Sequence, residues 1–197
     1  MYGRDLDGVS RPPLIDGNRK LVTAPGGGKY AEATLAGRIF LGCNQAHVTT
    51  STTLHNTFTG LAILNPSTTG KNYIIHEFSY ALMDSPTGDT NLSLVITPEV
   101  AGYAAGTTLT VRAGKWGSAT SNAVAAEAAT VVGASGVIVK PVATLGTNIT
   151  TDLLTTPTVV DLGGQIVVPP GYAIATDTLL ASGDVMLFGF MWEEVDV

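Results

Sequence analysis

From about residue 36 the chain reads as short apolar runs broken by Gly, Pro, Asn, Asp and Thr. That punctuation is the signature of a β-rich domain. The runs predict strands over 36–42, 45–53, 58–64, 72–82, 91–97, 107–113, 136–143, 157–168, 172–177 and 184–194. Thr, Val, Ile and aromatic residues dominate them, and such side chains suit a pleated surface. Residues 121–132 have enough alanine to favour a helix. Their Ser, Thr and Val content and flanking glycines predict a loop carrying helical turns at most. No internal repeat of fixed period is present.

Two of the predicted strands have no polar face. In 72–82, strict alternation places Tyr73, Ile75, Glu77, Ser79 and Ala81 on one side and Ile74, His76, Phe78, Tyr80 and Leu82 on the other. In 184–194, Val185, Leu187, Gly189 and Met191 oppose Met186, Phe188, Phe190 and Trp192. Strands covered on both faces sit centrally in a sandwich or pack against another subunit. About ten strands with tight turns predict an all-β, antiparallel two-sheet sandwich. A jelly roll is the first choice of topology and an immunoglobulin-like sandwich the second. The stretch from Gly163 to Asp177 supports the jelly roll, because it reads as apolar strand, Pro169-Pro170-Gly171 corner, apolar strand. The prolines cannot donate ladder hydrogen bonds, and Gly171 supplies the unrestricted backbone a sharp corner needs.

Residues 1–35 follow another pattern. Gly3, Gly8, Pro12, Pro13, Gly17, Pro25 and the triplet Gly26-Gly27-Gly28 leave no helical or alternating period. An extended N-terminal arm over 1–35 is expected, followed by a sandwich domain over 36–197. The arm carries apolar side chains to bury, with Leu14, Ile15, Leu21 and Val22 as its expected anchors on a neighbouring subunit. Charge separates the same two regions. Residues 1–38 hold six basic and four acidic residues, a net of +2, and residues 39–197 hold four basic and twelve acidic, a net of −8.

Composition sharpens this reading. The 197 residues are 45% hydrophobic but only 13% charged, against about 25% charged in an ordinary domain. Mean hydropathy is +0.29. Disorder is excluded, since it needs low hydrophobicity and high net charge. A net charge of −6 argues against direct nucleic-acid binding through a basic patch. So few charges over the roughly 8,800 Å² that a chain of this mass exposes imply a surface partly covered by other chains. No run of about 18 apolar residues predicts a membrane span. The start, Met1 to Pro13, has charges and prolines but no apolar core, so a secretory signal is not expected.

No catalytic motif appears, and the chain is not expected to be an enzyme. Cys43 is the only cysteine, so no disulfide framework is expected, and it reads as a buried apolar thiol. His47, His55 and His76 have no sequence-local partners in metal-ligand spacing, since His76 and Glu77 point to opposite faces of a strand. The segment from Asn65 to Lys71 brushes against a phosphate-binding loop. It lacks the first glycine and the hydroxyl after Lys71, so it reads as a hairpin loop with Gly70 at the turn and Lys71 solvated. Glu193 and Glu194 are adjacent on a strand and face opposite ways; with Asp196 they read as a solvated chain end rather than a glycosidase pair. Asp84, Asp89 and Glu99 match no calcium-loop spacing. No metal or cofactor is expected.

Two stretches carry a family resemblance. Phe58-Thr59-Gly60-Leu61-Ala62-Ile63-Leu64-Asn65-Pro66 followed by Gly70-Lys71-Asn72 is one. Pro169-Pro170-Gly171-Tyr172 with Phe188-Gly189-Phe190-Met191-Trp192-Glu193-Glu194 is the other. Across about residues 58–82 and 163–194 the chain resembles small virion proteins of tailed bacteriophages. The resemblance implies a β-sandwich or jelly-roll structural subunit that decorates a capsid or belongs to another part of the virion, and capsid decoration is the leading expectation. Its expected partners are the major capsid protein and its own copies, as a homotrimer. Its expected place is the virion exterior, after synthesis in the host cytoplasm. A receptor- or glycan-binding module of a tail fibre or spike is the alternative, which needs an exposed aromatic platform from Tyr103, Trp116 and Tyr172.

Overall fold

The computed structural model describes residues 3–4, 10–11, 29–46, 48–49, 60–83, 89–104, 107–118, 120–127, 130–132, 136–146, 157–178 and 185–197. The chain divides into two units, Met1–Glu32 and Ala33–Val197. In the first, strand β1 (Gly3–Arg4) pairs antiparallel with β2 (Ser10–Arg11). The anchors expected at Leu14, Ile15, Leu21 and Val22 lie outside the described residues.

One helical turn, α1 (Ala31–Leu35), precedes the sandwich. It ends in a Schellman motif: Gly37 N–H donates to Thr34 O and Arg38 N–H to Ala33 O, both at 2.9 Å. Gly37 takes the left-handed backbone that this cap requires, at φ 74°.

Among the described residues thirteen strands follow. They are β3 (Ile39–Cys43), β4 (Val48–Thr49), β5 (Ala62–Asn65), β6 (Lys71–Leu82), β7 (Thr90–Ala104), β8 (Thr107–Leu109), β9 (Arg112–Ala113), β10 (Val124–Glu127), β11 (Thr130–Val132), β12 (Val137–Leu145), β13 (Thr158–Val168), β14 (Tyr172–Thr178) and β15 (Val185–Asp196). Eight of them form the frame. β7 pairs with β12, β6 with β13, β5 with β14 and β3 with β15, all antiparallel. The pairs alternate between two sheets, ordered β12-β7-β14-β5 and β13-β6-β15-β3. This is a long antiparallel ribbon wrapped around a core, the jelly roll. Gly42 of β3 faces Ile63 of β5, where an added Cβ would sit 3.2 Å from Ile63 Cδ1. The two rows therefore run in step, and β12 and β13 lie on one flank.

The stretch between β7 and β12 crosses to the opposite flank. There β10 and β8 extend one sheet beyond β5, and β9 extends the other beyond β3. β11 returns to pair with the far half of β7. The loop expected over 121–132 is thus built from β10 and β11. Their alanines and valines serve as sheet residues because neighbouring strands satisfy their backbones.

The core is chemically lopsided. Phe40, Tyr73, Phe78, Phe188, Phe190 and Trp192 all come from β3, β6 and β15, which make the aromatic sheet. The facing aliphatic sheet supplies Ile63, Leu92, Leu94, Ala125 and Ile174. Phe78 and Phe190 pack with tilted rings, centroids 4.9 Å apart, and Trp192 lies between Phe40 and Tyr73 at 6.3 and 6.1 Å.

A bulge makes this segregation work. The ladder between β6 and β15 pairs Met191 with Glu77 and then Trp192 with Ile75, which leaves His76 as an extra residue. Tyr73 and Ile75 therefore share the inner face with Phe78 and Leu82, where strict alternation separated them. The sheet buried on both faces is the aliphatic one, whose outward Ala62, Leu64, Val95, Ala126, Ala173 and Ala175 are all buried. The outer faces of β6 and β15 are half-buried.

The corner at Pro169 to Gly171 carries the chain from one sheet to the other, with Gly171 at φ 81°. The segment from Asn65 to Lys71 is a second such crossover, from β5 to β6, and not a hairpin. Asn65 is the reason both hold. It is fully buried, and its Nδ2 donates to Lys71 O at 2.7 Å and to Val168 O at 2.9 Å, while Gly171 N–H donates to its carbonyl at 2.8 Å.

Candidate interaction surfaces

The flank formed by β12 and β13 is apolar. Val137, Ile138 and Val139 follow one another exposed on β12, Val137 at 63%. Val159, at 61%, and Val167 are exposed on β13. Among the described residues no strand pairs with the free edges of β12 and β13. Lys140 and Asp161 are the only charged residues in these two strands. On the opposite flank the exposed residues of β8 and β9 are Thr107, Thr108 and Arg112. Native edge strands are ordinarily blunted by charge or by cover, and the β12 edge has almost none of either.

The outer face of the aromatic sheet contains a shallow depression of about 260 Å³. Gly189, in the middle of β15, makes its floor, where a Cβ would lie 2.7 Å from Ser79 Oγ. Leu41 and Cys43 of β3, Val159 of β13 and Met191 of β15 rim it, with Glu77 and Ser79 of β6 as its polar groups. Cys43 is exposed here rather than buried. Phe40 and Gly42 point inward from β3, so Leu41 and Cys43 must point outward.

A third feature is a projecting corner. Trp116 is 84% exposed at the tip of a turn beside β9, and Leu35, at the end of α1, is 69% exposed. Hydrogen bonds tie the corner on several sides. Gly114 N–H donates to Ile39 O at 2.8 Å, Ser118 N–H to Lys115 O at 3.2 Å, and Lys115 Nζ to Leu35 O at 3.0 Å. Of the aromatic platform considered above, Tyr172 is also exposed, but no ring contact joins it to Trp116. The Tyr103 side chain lies outside the described residues.

Several titratable groups serve the fold. Glu193 and Glu194 do face opposite ways, but they are not a solvated end. Glu193 lies on the outer face, where Arg38 Nε donates to it at 2.8 Å and His76 Nε2 lies 3.4 Å away. Glu194 is buried, at 3% exposure, accepting a hydrogen bond from Ser121 Oγ and facing Lys71 Nζ at 3.5 Å. Lys71 is therefore paired rather than simply solvated. Burial, and then the Glu194 charge, push the Tyr73 hydroxyl far above its ordinary value. The Ser121 hydroxyl offsets part of that without reaching hydrogen-bond geometry. Glu99 accepts from Ser67 N–H at 3.2 Å, and Asp89 is exposed. His47, His55 and Asp84 lie outside the described residues. No three His, Cys, Asp or Glu side chains come together as metal ligands among the described residues.

Neither buried asparagine, Asn44 nor Asn65, was singled out by sequence as a side chain with a task. Asn65 stood in a recognised loop, yet its spacing carries no sign of two carbonyl acceptors that are distant in sequence. No protein-family model, curated protein or solved structure matches this chain.

Proposed function

We propose that this chain is a structural virion subunit that decorates and stabilises a tailed-phage capsid. It acts as a symmetric oligomer, with residues 1–35 clamping neighbouring subunits or the major capsid protein. The observation that carries the reading is the apolar flank of β12 and β13, which leaves Val137, Ile138, Val139 and Val159 exposed on strands with free edges. Contiguous apolar surface of this kind marks protein contact sites, and an open edge invites strand addition. The shortage of charge over the whole chain supports the same reading. So does the use of the Glu193 and Glu194 carboxylates in hydrogen bonds and ion pairs within the sandwich. A jelly roll alone supports no function, since one fold hosts many. Among the described residues the receptor- or glycan-binding alternative has one strongly exposed ring, Trp116, and no second ring beside it.

The test is immunogold labelling of phage particles with an antibody to this chain, paired with capsid co-sedimentation. Label over the capsid exterior, and weaker co-sedimentation after deletion of residues 1–30, are expected. Label confined to the tail, or capsid binding undiminished by the deletion, would overturn the reading.

A further inference from the structure

We infer that Trp116 of one copy seats in the Gly189 depression of a second copy, so that the chain associates head to tail. The inference rests on the assembly reading above but not on its virion setting.

The two features fit in size, polarity and charge. At about 260 Å³ the depression is smaller than the roughly 300–1,000 Å³ of small-molecule sites. It is open and mostly apolar, which suits one large side chain. Leu41, Val159 and Met191 would meet the faces of the indole. Glu77, at the same depression, has a carboxylate with no hydrogen bond or ion pair among the described residues. It can accept from the indole N–H and face Lys115, the residue before Trp116. The Lys115 ammonium meets a backbone carbonyl but no carboxylate among the described residues. Each surface thus holds the charge the other lacks, and complementary charge fixes the register of an interface.

The energetics favour this knob. Trp is enriched among residues that dominate interfaces, near the centre of well-packed pockets. Its turn is already held by hydrogen bonds to Ile39 and Leu35, so little ordering remains to oppose binding. Within one chain Trp116 is 84% exposed, so it does not fill its own depression. Knob and hole occupy different places on the same chain. The contact is therefore heterologous, and it closes into a ring when the rotation between copies permits.

The experiment is sedimentation of the full chain as wild type, Trp116→Ala, Val159→Arg, and an equimolar mixture of the two variants. Both positions are strongly exposed, so the fold should survive, which circular dichroism checks. Wild type is expected to be oligomeric and each variant alone monomeric. Trp116→Ala keeps the hole, and Val159→Arg keeps the knob while its guanidinium covers Glu77. The mixture should give one-to-one dimers and nothing larger, because the other half of each partner is disabled. A mixture that stays monomeric overturns the inference, as does a monomeric wild type. Variants that keep the wild-type mass also overturn it, but leave assembly through another surface standing. The particle labelling above is unaffected by any of these outcomes.

Discussion

Asn44 Nδ2 donates to Glu127 Oε2 at 2.6 Å, joining the end of β3 in the aromatic sheet to the end of β10 in the aliphatic one. Asn44 also bonds Phe188 reciprocally, with Phe188 N–H donating to Asn44 Oδ1 at 3.2 Å and the Asn44 backbone N–H donating to Phe188 O at 3.1 Å. Asn44 thus holds the edge of β15 between β3 and β4 while tying that edge across the sandwich.

Asn44→Ala should therefore strand both the Glu127 carboxylate and the Phe188 N–H. Loss of a buried hydrogen bond to a charged group costs about 1.5–3 kcal/mol. For a chain of this length that lowers Tm by roughly 3–12 °C in a thermal melt. Asn44→Asp should be worse at neutral pH, since it faces Glu127 with a like charge, and should recover on acidification.

Asp177 is buried beside Ser93 on the outward side of the aliphatic sheet, and its Oδ1 has no hydrogen-bond partner among the described residues. Desolvation raises its pKa, and a backbone hydrogen bond from Thr178 offsets only part of the rise. A carboxyl whose native pKa is raised supports the fold when protonated. Its support is complete below the ordinary carboxylate range and is lost as pH rises through the native value. Asp177→Asn should therefore be more stable than wild type at neutral pH, with the gap closing towards about pH 4. Urea unfolding over a pH series measures this, and a gap constant with pH contradicts it.

Gly189 and Ser79 are matched across β15 and β6. A methyl group at Gly189 would lie 2.7 Å from Ser79 Oγ and 3.6 Å from Cys43 Cβ. Gly189→Ala should cost about 1–3 kcal/mol, the usual range for overpacking. In a Ser79→Ala background most of that cost should disappear, giving a favourable coupling in a double-mutant cycle. Additive costs would mean that the strain lies in the backbone instead.

The two tryptophans occupy opposite environments, Trp192 fully buried and Trp116 exposed. Trp116→Phe should leave a single blue-shifted emission shielded from iodide. Trp192→Ala should cost about 3–5 kcal/mol, the range for deleting a large core aromatic. Strong iodide quenching in Trp116→Phe would contradict the buried position of Trp192.

Much of the architecture was legible from local pattern. The period-two runs around Phe78 and Phe190, the turn glycines and the Pro169 to Gly171 corner each report on their own neighbourhood, and together they predict a jelly roll. Local pattern failed where a residue's role depends on partners distant in sequence. His76 reads as one step in an alternating strand until the β15 ladder passes over it and shifts the phase of everything before it. Glu194 reads as chain end until Ser121 and Lys71 enclose it. Cys43 reads as core until the inward turn of Phe40 and Gly42 sets the parity of β3.

The candidate surfaces divide in the same way. The low charge of the chain carries the expectation of contact with other chains, because a bare surface is ordinarily solvated by charge that is scarce in this sequence. Which surfaces are open to such contact is decided by tertiary structure alone. Val137 to Val139 look like any buried strand in sequence. They are exposed because the wrapped ribbon ends there and places β12 at an edge. Trp116 is exposed because its turn projects beyond β9. Glycine makes a depression only when Gly189 lands between the side chains of three other strands. Alternation and turn chemistry are properties of adjacent residues and so belong to the sequence. Edges, floors and buried charges are properties of which strands meet, and only the folded sandwich decides that.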